Sequence, residues 1–187
     1  MIAAPPAFAF SGGCIDNNEV HLLSELENYL QRLEDLRGQI ENLITGVAPD
    51  QLNWRPIEAA MEQQINSLAV LVAHTCGAEH FWIGEVIGGK TPTRNRQIEF
   101  KTQTSSHTEL FHLLHQTSIE TREILLALPP DALNSNREVE AREVPVRWAL
   151  LHVVDHTALH LGHMQMTYQL LSGGTPHPAP LWKQRLP

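Results

Sequence analysis

The segment HVVDHTALHLGHMQ, residues 152–165, concentrates four histidines in an otherwise apolar stretch. At about 100° per residue, His152, His156, His160 and His163 fall at about 0°, 40°, 80° and 20° on a helical wheel, so all four share one face. Neutral imidazoles gathered on one face are metal-ligand chemistry. Side chains four residues apart lie one turn above each other and can reach a single ion, whereas His152 and His160 are about 12 Å apart along the axis. The chelating pair is therefore His152 with His156 or His156 with His160, and spacing leaves both open. A third donor must come from another buried element. His74 is the candidate, because it interrupts the apolar run LAVLVAHTCGA, where a neutral imidazole needs a hydrogen-bond partner or an ion to offset burial. Three histidines with a further open position form a donor set of the catalytic type, suited to Zn, Ni, Fe or Cu.

The same spacing also fits half-buried histidines that are satisfied by hydrogen bonds alone. His21, His80, His107, His112, His115 and His177 are read that way, as surface or rim positions. Cys76 follows His74 by two residues and points some 200° away on the same helix, which removes it as a ligand to the same ion.

Four helices must position these residues. Asn17 or Asn18 can cap a first helix whose stripe runs through Leu22, Leu26, Leu30, Leu33, Leu36, Ile40 and Leu43 to Gly46. VAPDQLNWRP reads as a long connection, and Asn66 or Ser67 then caps a central buried helix that runs to Gly88 and Gly89. Residues 90–104 are polar and aperiodic, a loop of the length that often borders a site. Ser106, with Glu109 at capping-box distance, opens a third helix that Pro129 and Pro130 stop. NSNREVEAREV is an extended pair or a simple excursion, and Pro145 suits the start of a fourth helix ending at Gly173 and Gly174. The expected fold is all-α, an antiparallel four-helix bundle over residues 16–174 with long loops, flanked by an irregular arm (1–15) and a proline-rich tail (175–187).

Composition limits the partners. The chain has 187 residues, 42% of them hydrophobic, with 13 Lys plus Arg against 21 Asp plus Glu and a formal charge of -8. One domain is expected, and no basic stripe is present that could neutralise a nucleic-acid backbone. No apolar run approaches the roughly 20 residues of a spanning helix, and the apolar N-terminal stretch has no cationic lead-in. Two cysteines without a CxxC fit a reducing, cytoplasmic setting.

The stretches APDQLNWRP, SLAVLVAHTCGAEHFWI and VPVRWALLHVVDHTALHLGHMQM together resemble the three hallmark segments of the DinB/YfiT-like superfamily of metal-binding four-helix bundles. The resemblance spans about residues 17 to 172. Carried over residue by residue, it implies His74, His156 and His160 as ligands of one divalent transition metal ion, Zn or Ni first and Fe also, with Gly162 at the small position and Phe81-Trp82 at the aromatic pair. It thus selects His156 with His160. Relatives that act with mycothiol or on maleylpyruvate carry Glu where this chain has His156, so this site is the all-histidine variant, and His163 stands where many relatives have Gln. The resemblance further implies a small-molecule substrate, a low-molecular-weight thiol activated for transfer or a water activated for hydrolysis, and a homodimer. A non-catalytic metal-dependent binding or stress-response module is the alternative. His152 and His163, on the ligand face, are candidate supporting residues, and Trp54, Arg55 and Trp82 are candidate pocket residues.

Overall fold

Apolar side chains recur every three or four positions from Leu26 to Ile44, and a computed structural model, which describes residues 17–57 and 65–178, folds this segment as a helix, α1 (Asn17–Thr45). The expected arm and all of the tail beyond residue 178 lie outside the described residues. After a short 3-10 turn (Pro49–Gln51), the Ser67 hydroxyl accepts the Val70 N–H at 3.3 Å and caps α2 (Leu68–Glu79). Eleven of the twelve residues of α2 are buried, as befits a helix apolar on every side.

Sequence periodicity treats α2 as one regular helix as far as Gly88. From His80 to Ile87 it instead continues as a π-helix, with the Gly88 N–H donating to the Ile83 carbonyl at 2.8 Å. Glycine lets this wider segment press on its neighbours. A Cβ at Gly88 would stand 2.8 Å from both the Gly84 carbonyl oxygen and the Ile124 side chain. The polar loop holds a four-residue helix, α3 (Arg96–Glu99).

Helix α4 (His107–Ala127) begins one residue after Ser106, but the Ser106 hydroxyl makes no capping bond. Glu109 instead accepts from the Thr104 hydroxyl at 2.5 Å, so the expected capping box is replaced by a loop contact. The segment NSNREVEAREV is the extended pair, β1 (Asn136–Val139) against antiparallel β2 (Arg142–Pro145), with Val139 facing Arg142. Glu140 and Ala141 carry φ of 48° and 61°, the two-residue turn that matches strand twist. Helix α5 (Val146–Leu171) follows directly.

The fold is thus all-α apart from one hairpin. Helix α1 packs against α4 and α5, and α2 packs against the same two. Buried apolar residues form two clusters, one around Ile40, Leu43, Leu71, Leu114 and Met164 and another around Leu30, Leu33, Ile83, Leu125 and Leu150. Polar side chains occupy the level between them. Arg37 lies between Leu33 and Ile40 on α1, Glu79 between Cys76 and Ile83 on α2, and His156 and His160 between Val153 and Leu161 on α5.

Arg37 and Glu79 are both buried and form an ion pair across the core, in which the Thr121 hydroxyl donates to Glu79 at 2.5 Å and Arg37 reaches the Ser118 hydroxyl at 3.3 Å. Removing one partner strands a desolvated charge, so Arg37→Ala or Glu79→Ala should each cost about 3–5 kcal/mol. Replacing both by apolar residues of similar volume, Arg37→Met with Glu79→Leu, should cost much less. Urea denaturation of the three variants checks this, and a double variant as unstable as the sum of the singles would count against it.

Candidate metal centre

Helix α5 aligns its histidines by periodicity, and α2 brings the third from across the core. His74, His156 and His160 each offer a ring nitrogen, and these three atoms lie within 4.8 Å of one another. The His74 and His156 Nε2 atoms are 3.2 Å apart. The His156 and His160 ring centroids stand 4.4 Å apart, and His74 stands 4.9 Å from each. Around a tetrahedral ion with metal–nitrogen bonds of about 2.0–2.1 Å, neighbouring nitrogens stand about 3.3 Å apart, the spacing of the His74–His156 pair, and the third nitrogen lies within reach of the same ion after a small rotation of its ring.

Two of the three rings are held from behind. His74 Nδ1 is 2.8 Å from the Glu99 Oε2 of α3, and the Phe100 ring lies 4.8 Å from the imidazole. His160 Nδ1 is 3.3 Å from the Nδ1 of exposed His163. His156 Nδ1 is buried and has no hydrogen-bond partner among the described residues.

Electrostatics keep the group neutral. Desolvation, and after it repulsion by His160, His74 and His152, holds His156 down to about 3. Desolvation followed by His74 and His163 brings His160 to about 4. Desolvation also lowers His74, against the opposing pull of Glu99. Such a cluster offers lone pairs and resists protons, which is what a cation requires.

The other residues singled out from sequence fall as follows. His152 stands outside the converging trio. Its ring stacks on Trp148 at 4.9 Å and 5° and meets the edge of Trp82 at 5.3 Å. Arg55 donates to the Ile65 carbonyl at 3.2 Å and reaches the Phe100 carbonyl at 3.5 Å, tying the α1–α2 connection to the segment after α3. Asn53 does the same through the backbone of Thr104, at 2.7 and 3.0 Å. Trp54 is half-buried in that connection. Cys76 is buried away from the trio, and desolvation pushes its thiol up to about 12, so it is inert. Of the rim histidines, His80 bridges Glu120 and Thr93 at 2.7 and 2.8 Å, and His107 Nε2 meets the Val47 carbonyl oxygen at 2.7 Å.

Two cavities flank α2. A groove of about 430 Å³ runs past His160 and His163 between Leu71, Met166, Thr167 and Leu170. A larger cleft of about 560 Å³ opens on another side of α2, lined by Cys76, Gly77, Arg94, Glu99 and Glu120 and by none of the three histidines. Of these two, the smaller groove is the one that touches the trio, through His160. Sequence reasoning missed Glu99, Phe100 and Arg94, whose only signal is their place in the polar loop flagged as bordering a site.

Free imidazoles take up protons near pH 6.5, whereas His156 and His160 do so at about 3 and about 4 in the folded chain. Between these values the unfolded chain binds protons that the folded chain refuses. Stability of the metal-free protein should therefore fall as the pH drops from about 6.5 towards about 4. Thermal melting of chelator-treated protein across this range checks the sign; a Tm that rises on acidification would contradict the desolvated cluster.

Comparison with known proteins gives a consistent placement. A crystal structure titled as a conserved protein of a locus from Enterococcus faecalis has the same fold, with a TM-score of 0.63 at 15% identity over 79% of this chain and 96% of that one. No curated protein matches the chain. The sequence profile of the mycothiol-S-transferases matches residues 26–173, most of α1 through the end of α5. With the fold and the histidine trio both inside that span, the chain belongs to the mycothiol-S-transferase family.

Proposed function

We propose that this protein is a metal-dependent transferase that uses a low-molecular-weight thiol, with His74, His156 and His160 as ligands of one divalent ion, zinc or nickel, with iron also compatible. The observation that carries the reading is the 3.2 Å approach of two Nε2 atoms from different helices, backed by a third imidazole. Membership of a thiol-transferase family supports the choice of thiol over water as the activated group. A divalent ion held there supplies Lewis acidity, which lowers the pKa of a bound thiol and polarises an electrophile.

The protein's own residues do the rest. The groove beside His160 seats the substrate, with Leu71, Met166 and Leu170 as its apolar wall. Exposed His163, on the same groove, receives the thiol proton as the sulfur bonds the electrophilic carbon. The leaving group departs with the electron pair of its own bond and is protonated from that imidazolium or from water. Trp82 and Trp148 hold His152 in an aromatic stack behind the trio, which gives it a packing role and not a ligand role.

We further propose that the helices form an antiparallel four-helix bundle, that it works in the cytoplasm and that it pairs as a homodimer. Among the described residues no helix is long and apolar enough to cross a membrane, and Cys76 is a free thiol. For the dimer, α5 exposes Trp148, Leu151 and Leu159 along one face, clear of the groove wall formed by Met166 and Leu170.

His74→Ala, His156→Ala and His160→Ala should each lose the metal and stay helical, while His152→Ala should keep it. Metal analysis by mass spectrometry decides, and retention by His160→Ala or loss in His152→Ala would sink the assignment. Loaded wild type should conjugate a small thiol to an electrophile, and His163→Ala should lower that rate about 10- to 100-fold while keeping the metal. Light scattering should give a dimer that Leu159→Glu dissociates; a monomer at all micromolar concentrations would refute pairing.

A further inference from the structure

Glu99 has no place in the sequence pattern of the site, yet it is the most constrained carboxylate near it. It is the last residue of α3 and is 8% exposed. Its Oε2 lies 2.8 Å from His74 Nδ1, and Arg94 holds the same carboxylate through Nε on Oε1 at 2.7 Å and Nη2 on Oε2 at 3.0 Å. The approach depends on a missing side chain. Gly77, one turn beyond His74 on α2, faces Glu99 so closely that an added Cβ would collide with Oε1 and stand 2.6 Å from Cδ.

The chemistry follows from what each group can donate. Arg94 donates Nε–H to Oε1 and Nη2–H to Oε2, so both oxygens of the Glu99 carboxylate are held as acceptors. A carboxylate gripped in this way accepts from its third neighbour too, so His74 Nδ1 donates to it and Nε2 presents its lone pair towards His156. A neutral imidazole without this partner is free to move its proton to Nε2, which blocks that nitrogen as a ligand, and to turn about its ring bond.

We propose that Glu99 is a positioning residue of the metal centre, fixing the tautomer and orientation of His74, and that Gly77 is the clearance through which its carboxylate reaches the ring. Arg94 anchors the carboxylate from the cleft side of α2, and Phe100 packs on the imidazole from the next position in the chain. This inference rests on the reading of His74, His156 and His160 as metal ligands.

The test measures the zinc dissociation constant by competition with a chromophoric chelator, together with the visible spectrum of the cobalt-loaded protein, for wild type and four variants. Glu99→Ala should weaken zinc binding by about 10- to 100-fold and alter the cobalt bands, and Glu99→Gln, which keeps an acceptor, should recover part of the loss. Gly77→Ala keeps the charge, suits a helix interior and displaces the carboxylate, so it should weaken zinc binding in the same direction. Glu123→Gln, an exposed acid on the same cleft, controls for loss of charge alone and should bind as wild type does. Wild-type affinity in both Glu99→Ala and Gly77→Ala, or an equal loss in Glu123→Gln, would overturn the proposal. Wild-type protein that takes up no zinc overturns the ligand reading and this inference with it, whereas tight wild-type binding with an unaffected Glu99→Ala overturns this inference alone.

Discussion

Three imidazoles that converge inside a protein must all stay uncharged, and the rest of the structure answers to that requirement. Each proton added to the group is opposed by desolvation and by its neighbours, which is why His156 and His160 titrate so far below a free histidine. Left alone, such an arrangement would spread apart. It is held because the three side chains belong to two helices, α2 and α5, that pack directly against each other and share their other neighbours, α1 and α4.

The core is built around this level. Two apolar clusters lie above and below, and between them sit the histidines and the buried Arg37–Glu79 pair. The ion pair serves α1, α2 and α4, while the histidines join α2 to α5. Polar groups in the middle of a helical core are costly unless every one has a partner, and they specify how the helices register as apolar packing alone does not.

The trio was readable because its signals are local. The i, i+4 pair on α5 and a histidine stranded in LAVLVAHTCGA both follow from helical geometry and burial. Spacing could not choose between His152 and His160. The structure separates them by an aromatic contact: Trp148, one turn before His152 on α5, stacks flat on that ring and turns it into a packing element. Arg37 and Glu79 went unread, although each carries a local signal, Arg37 as a cation within the stripe of Leu33, Leu36 and Ile40 and Glu79 as the first acid in the apolar run of α2. Glu99 was not readable, because its partner lies 25 residues away and a glutamate in a polar loop looks like any solvated acid. The replaced capping box shows the same limit, since Thr104 competes for Glu109 through a loop shape that the motif does not encode.

The π-helical stretch from His80 to Ile87 carries a consequence for how this helix can change over time. An i→i+5 turn encloses one residue more than an α turn, so the chain here holds an insertion absorbed without breaking the helix. Losing that residue would restore ordinary winding and leave the residues beyond it close to their present phase relative to His74. The stretch from His80 to Ile87 is therefore where this long helix can shed a residue and keep its faces, whereas a deletion in the α-helical turn after His74 would swing Glu79 and all that follows by about 100°.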